Sequence, residues 1–214
     1  MRDGGVDALP AHGDGRRMRV GLLGGSFNPV HEGHVQLACR ALRELNLDQV
    51  WFLVSPGNPL KPVAGMAPMA DRLAGVRHRI RDIQGRKLLA TDIESRIGTR
   101  YTVDTLRRLK RLFPHVRFVW LMGADGLAQM GRWRRWRDIV GMVPLAVLPR
   151  PGYNPGALHG RIARRLAQWR RPAREAGILA TCRPPAWVFL PAPQNAISAT
   201  QIRASQAAHG HGRE

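Results

Sequence analysis

Residues 24–34 read Gly24-Gly25-Ser26-Phe27-Asn28-Pro29-Val30-His31-Glu32-Gly33-His34 and follow directly on the apolar run MRVGLLGG that begins at Met18. The run reads as a strand, and what comes after it as a helix in which Val35, Ala38, Leu42 and Leu45 recur at spacings of three and four. Two glycines at such a junction let backbone approach a ligand closely, and the helix N-terminus behind them offers unpaired N–H groups to an anion. Pro29 fixes the turn before the helix. His31 and His34, three apart in the first helical turn, project from nearly the same side; they can donate hydrogen bonds to phosphate oxygens and gain protons as a phosphate arrives. The pattern is neither GxGxxG nor a Walker loop. Two plainer readings stand beside it: an ordinary turn with surface histidines, or a zinc pair at HxxH spacing, for which no acidic or cysteine set completes the shell.

Outward from this loop, short apolar runs keep alternating with amphipathic stretches. VWFLVSP (50–56), KLLATDI (87–93), VRFVWLMG (116–123), PLAVLPR (144–150) and WVFLP (187–191) read as strands. Between them Met69, Leu73, Val76, Ile80 and Ile83 mark one helix and Val103, Leu106, Leu109 and Leu112 another; helical regions are expected at Leu127–Val140 and Leu158–Arg171. Strand alternating with helix predicts an α/β fold, a doubly wound parallel sheet covered on both faces, with ligands at the carboxyl ends of the strands beside a switch in strand order. Without repeats or a low-complexity linker, residues 18–208 are expected to form a single domain between solvated tails at 1–17 and 209–214.

Of 214 residues, 34 are basic and 15 acidic, a formal charge of +19. The only lysines are Lys61, Lys87 and Lys110, so the charge rests on arginine, whose planar fork suits phosphate and carboxylate. Anionic partners follow, and a nucleic-acid binder is one class that such a charge allows. The arginines fall mostly on polar helix sides, without the aromatic-rich strand of an RNA-binding sheet. Cys39 and Cys182 have no metal-binding spacing and are expected as reduced, buried thiols. No apolar run approaches a membrane span and the N-terminus lacks a signal-peptide core, so a cytoplasmic protein is expected.

A second candidate loop, Ile197-Ser198-Ala199-Thr200-Gln201-Ile202-Arg203, follows the last strand and opens a helix. Ser198 suits an N-cap, so simple capping is one reading; Arg203 can fork onto phosphate in a way lysine cannot. Two junctions of this kind, far apart in the chain, fit one site built from both halves of a sheet. The first loop resembles the GGxFxPxHxGH signature of the nucleotidyltransferase superfamily, and the second is similar to its ISSTxIR motif, with Ala199 in place of the second Ser. Arg100-Tyr101-Thr102-Val103-Asp104-Thr105-Leu106 is similar to the SYTxxTL element of nicotinate mononucleotide adenylyltransferases, and Gly123-Ala124-Asp125 with Leu127 and Trp133 resembles that family's GxDxL…W stretch. Pro149-Arg150-Pro151-Gly152-Tyr153 also looks like the family's sequence after the fifth strand, and the resemblance as a whole covers residues 18 to 205.

The resemblance implies a Rossmann-like nucleotidyltransferase fold and adenylyl transfer from ATP to nicotinate mononucleotide, giving deamido-NAD and pyrophosphate. It implies an ATP site of Gly24, Gly25, Ser26, Phe27, His31, His34, Lys61, Ile197, Ser198, Thr200 and Arg203, with His34, His31 and Arg203 catalytic. Tyr101, Thr102, Asp125, Trp133 and Arg134 would hold the mononucleotide, Trp133 by stacking on the pyridine ring and backbone amides by receiving its carboxylate. No metal would be held by protein side chains; Mg²⁺ would arrive bound mainly through the ATP phosphates. Neither a membrane nor a specific nucleic acid is expected as partner, and the chain would be a monomer or a homo-oligomer. Asn28 stands where many members have Asp, Ser26 where many have Thr, and Leu60 where many have His. Rivals within the superfamily transfer to nicotinamide mononucleotide or phosphopantetheine, or transfer CMP; the last two lack the Tyr-Thr and Asp…Trp stretches. Trp133 and Trp136 could also pack on the core, the fate expected for Trp136.

Overall fold

Along the strands β1 (Arg19–Gly25), β2 (Gln49–Val54), β3 (Leu88–Thr91), β4 (Arg117–Gly123) and β5 (Leu145–Leu148), successive apolar residues point to opposite sides, as the pleat requires. Trp51, Leu53, Phe118, Trp120, Met122, Leu145 and Val147 enter one buried cluster; Val50, Phe52, Val54, Val119, Leu121, Ala146 and Leu148 enter another on the far face. Runs that are apolar throughout are thereby explained: both faces of the sheet are covered. The first cluster is closed by α4 (Thr102–Leu112), α5 (Ala124–Gln129), α6 (Trp136–Met142) and α8 (Arg161–Arg165), the second by α1 (Glu32–Glu44) and α2 (Met69–Ile80). This computed structural model describes residues 16–57, 65–83, 85, 87–149 and 154–191. Residues 1–15 and 209–214 of the expected tails lie outside the described residues, as do Lys61, Ile197, Ser198, Thr200 and Arg203.

Among the described residues seven strands form one sheet in the order β3-β2-β1-β4-β5-β7-β6, where β6 is Arg170–Arg171 and β7 is Trp187–Phe189, every neighbouring pair parallel. The order reverses beside β1: the chain moves outward through β2 and β3, then crosses back to β4 on β1's other side. That is the switch at which the loops after β1 and β4 diverge and leave a crevice.

Several expected elements are differently built. The helical region at Leu127–Val140 is two short helices, α5 and α6, separated by a 3₁₀ turn at Met130–Arg132 and by Arg135, whose left-handed backbone (φ 51°, ψ 42°) redirects the chain. The expected helix at Leu158–Arg171 divides into α7 (Asn154–Leu158), α8, a 3₁₀ turn and the edge strand β6 (Arg170–Arg171). Gly160 is extended before α8, and Pro172 disfavours a helical conformation at Arg171. The helix after Met69 ends at Ile80, and Ile83 packs on the core from beyond its end. Neither α3 (Ile93–Arg96) nor the 3₁₀ stretch Ala173–Thr181 before β7 (Trp187–Phe189) has a periodicity long enough to announce it. Cys39 and Cys182 are unbridged and half-buried rather than buried.

Candidate active site

The loop after β1 is held from below by aromatic rings. Phe27 adopts a left-handed backbone (φ 47°) and turns its buried ring onto Phe52 (centroids 5.5 Å apart) and the edge of His34 (5.1 Å). A Cβ on Gly25 would meet the Phe27 ring at 3.1 Å, and one on Gly24 would lie 2.7 Å from Trp120 Cη2. The glycines are therefore demanded by packing within the protein, quite apart from any ligand. Ser26 and its neighbours are tied to β2 by the Ser55 N–H donating to Gly25 O at 2.9 Å. Asn28 donates through Nδ2 to Gly65 O (3.0 Å) and accepts at Oδ1 from the Ala67 N–H (3.2 Å). An aspartate could make only the second of these bonds.

His31 is the N-cap of α1 and only 1% exposed, which removes the reading of it as a surface residue. Its ring lies 3.8 Å from that of His34, tilted by 36°. His34 Nδ1 accepts the His31 backbone N–H at 3.2 Å, reaching back from the third helical position as a capping-box side chain does. With Nδ1 an acceptor, the neutral ring carries its proton at Nε2, which is therefore the nitrogen that can donate. A proton gained at Nδ1 would break this cap.

Across the switch, Gly123 ends β4 and caps α5, placing the half-buried Asp125 in its first turn. Trp133 is half-buried against the core and meets Trp120 edge-on, centroids 6.2 Å apart. Tyr101 is the N-cap of α4, and Thr102 is that helix's first residue. The Arg134 guanidinium lies over the Tyr101 ring, 4.8 Å from its centroid, so the Tyr101–Thr102 and Trp133–Arg134 segments meet. Asp138 steadies this meeting by pairing with Arg135 (2.7 Å) and with Arg107 of α4 (2.6 Å). Trp136 packs against the core, with Arg137 over its ring.

Sequence reasoning passed over three residues that shape this ground. Trp120 is the register partner of Leu22 and hence the diagonal neighbour of Gly24 on the same face, a pairing that no local spacing reveals. Arg72 is 5% exposed, and its signal was present: an arginine beside Leu73 on the apolar stripe of α2. Glu94, 7% exposed in α3, has its carboxyl pushed up to about 7 by burial, opposed by the Thr105 hydroxyl that donates to Oε1 at 2.9 Å. Thr105 Oγ1 also lies 3.0 Å from Thr99 Oγ1 and 3.3 Å from Tyr101 O, so this polar knot underlies the Tyr101 turn. Among the described residues no three His, Cys, Asp or Glu side chains gather to hold a metal ion, and no helix is long and apolar enough to cross a membrane.

Comparison with known proteins gives this geometry a family. Residues 22–205 match the cytidylyltransferase-like family. A probable nicotinate-nucleotide adenylyltransferase of Gluconacetobacter diazotrophicus is 67% identical over 200 residues, 94% of this chain and 92% of the relative; one from Gluconobacter oxydans is 63% identical, over 88% and 95%. Among solved structures, a Plasmodium falciparum nicotinic acid mononucleotide adenylyltransferase complexed with NaAD has the same fold, with a TM-score of 0.67 at 16% identity, over 87% of this chain and 83% of that one. The chain belongs to the nicotinate-nucleotide adenylyltransferases of the cytidylyltransferase-like family.

Proposed function

We infer that the protein transfers the adenylyl group of ATP to the 5′-phosphate of nicotinate mononucleotide, forming nicotinate adenine dinucleotide for NAD biosynthesis. A phosphate oxygen of the mononucleotide attacks the α-phosphorus of ATP, the bond from that phosphorus to the bridging oxygen of the β-phosphate breaks, and pyrophosphate leaves with the electron pair. The attacking oxygen is already anionic, so no general base or covalent nucleophile is required. Catalysis is then positioning and charge neutralisation.

The observation that carries this reading is the pair of half-sites flanking the β1–β4 switch. On one side the stacked His31 and His34 stand at a helix N-terminus with Nε2 of His34 as a donor; on the other, Arg134 over Tyr101 joins the two segments that would receive the pyridine carboxylate. In this reading Gly24, Gly25, Ser26 and Phe27 line the triphosphate, and His34 donates to the α-phosphate as its charge grows. Lys61, Ile197, Ser198, Thr200 and Arg203 serve the remaining phosphates and the nucleoside. Trp133 stacks on the pyridine, and backbone N–H groups of Thr102 and Arg134 select the acid over the amide. Mg²⁺, held mainly through the ATP phosphates, would supply further neutralisation of phosphate charge; a donor set of imidazoles and arginines suits a metal carried by the nucleotide. The setting is cytoplasmic, and the chain works as a monomer or homo-oligomer.

The test is pyrophosphate release from MgATP with nicotinate mononucleotide, nicotinamide mononucleotide and phosphopantetheine in parallel. Nicotinate mononucleotide should give the highest kcat/KM. Faster release with the amide, or release only with phosphopantetheine, would overturn the assignment of the acceptor.

A further inference from the structure

Arg72 is a buried cation whose head group faces neutral partners. Its Nη1 donates to Ser26 O at 2.7 Å and to Ser55 O at 2.8 Å, its Nε donates to Ala67 O at 2.9 Å, and Nη2 lies 3.4 Å from Met69 Sδ. These carbonyls come from three places: the loop after β1, the exit of β2, and the approach to α2. The Ser55 N–H already holds Gly25 O, so the guanidinium completes a closed set of bonds beneath Gly25 and Ser26.

Nothing about packing alone asks for an arginine here. Met69, Leu73, Val76 and Ile80 form the stripe that α2 turns to the core, and an apolar side chain would continue it. A buried guanidinium facing carbonyls rather than a carboxylate carries a desolvation cost, visible in the way burial lowers its affinity for the proton. Two consequences offset that cost. The planar fork fixes the direction of the Ser26 carbonyl, as three carbonyls converging on one rigid group must. In a trans peptide the C=O and the N–H point to opposite sides, so with Ser26 O bound to Arg72 the Phe27 N–H is turned away from α2. Drawing electron density toward that oxygen also makes the same amide a stronger donor. Phe27, at φ 47°, then has its unusual backbone held from the carbonyl side by Arg72 and from the side chain by Phe52.

We propose that Arg72 is a positioning residue for the phosphate-binding loop, setting the Ser26–Phe27 amide and supplying a standing positive charge behind it to receive the ATP phosphates. The proposal rests on the ATP-binding role read for this loop, but not on the identity of the acceptor.

The experiment uses the full chain with Arg72→Lys and Arg72→Ala, measuring the Kd of MgATP by titration calorimetry and the KM of each substrate. Lysine keeps the charge, but its three donors radiate from one nitrogen and cannot reproduce the planar spread of Nε and Nη1 that meets the three carbonyls. Arg72→Lys should weaken MgATP binding at least tenfold while the KM for nicotinate mononucleotide stays within about twofold. Arg72→Ala should weaken ATP binding further and recover in millimolar methylguanidinium but not in methylammonium at the same ionic strength. Wild-type ATP affinity in a folded Arg72→Lys protein, equal losses for both substrates, or recovery with both cations or with neither would overturn the proposal. If Arg72→Lys does not fold, the alanine variant with the two cations decides by the same criteria. Since ATP affinity is read without the acceptor, a wild-type protein that binds MgATP but does not use nicotinate mononucleotide would refute the function above and leave this inference standing.

Discussion

The six-membered rim of the Trp120 indole occupies the space in which Gly24 has no side chain, while the same indole meets Trp133 edge-on at 6.2 Å. One ring in the middle of β4 thus touches both the glycine loop and the tryptophan of the opposite half-site. Gly24→Ala puts a methyl group 2.7 Å from Trp120 Cη2, closer than carbon atoms pack, and the large ring must move. Overpacking of this kind costs about 1–3 kcal/mol. Denaturant unfolding should show a lower midpoint with unchanged slope, and because Trp120 carries the displacement to Trp133, the KM for the mononucleotide should rise along with that for ATP. Gly25→Ala meets the Phe27 ring at 3.1 Å and should be felt at the ATP side alone.

His34→Ala removes the Nε2 donor and also the cap on the His31 N–H. Loss of one donor to developing charge lowers kcat by about two to three orders of magnitude, whereas loss of a cap costs about 1 kcal/mol of stability. Steady-state kinetics at saturating substrates should therefore show a kcat loss far larger than the change in ATP affinity. Turnover near that of the wild type would remove His34 from the chemistry.

Trp133→Ala should act on the mononucleotide. An aromatic stacking partner contributes about 1–3 kcal/mol to binding a base, so the KM for nicotinate mononucleotide should rise at least tenfold with little change for ATP. Trp133→Phe retains a flat face and should recover much of the loss. An effect confined to ATP would contradict the stacking role.

Glu94→Gln separates pH from packing. The folded carboxyl keeps its proton up to about pH 7, while the ordinary value is 4.5, so its contribution to stability is complete below 4.5 and is lost as pH rises toward 7. At about 1.4 kcal/mol per pH unit the full loss is on the order of 3 kcal/mol. Glutamine keeps the shape without the charge. Thermal or denaturant unfolding should find the stability of Glu94→Gln relative to wild type increasing between about pH 4.5 and pH 7 and level above that; a flat difference would mean that the carboxyl ionises alike in the folded and unfolded chain, and that burial does not hold its proton.

Asn28→Asp asks whether the amide is needed at this position. The carboxylate cannot donate to Gly65 O and would face it with like partial charge. A loss of about 1 kcal/mol or more is expected in unfolding experiments at neutral pH. The loss should shrink in acid, where protonation of the introduced carboxyl restores a donor; an equal loss in acid and at neutral pH would contradict this account.

The sheet was legible because its signals are local. Strands that are apolar on both faces and helices with three- and four-residue spacing depend on the chain's own periodicity, and the loop at 24–34 depends on which residues follow which. The junctions were less so: Arg135 ends a run whose apolar spacing continues past it, and its left-handed backbone is held by Asp138, itself paired to Arg107 on another helix. Likewise Gly160 and Pro172 divide a stretch that looked helical throughout, since periodicity does not register a single residue that cannot continue the turn.

By itself the sequence determined the α/β class, the alternation of elements and the family, all of which are written in residues near one another in the chain. Only the tertiary structure decided why Gly24 must lack a side chain, which nitrogen of His34 accepts the His31 N–H, that Arg134 and Tyr101 meet, and that Arg72 holds Ser26 from behind. Each of these depends on register between strands or on the approach of one element to another. Such contacts arise when a parallel sheet brings β1 and β4 together across more than ninety residues of chain, and no spacing within either segment carries that information.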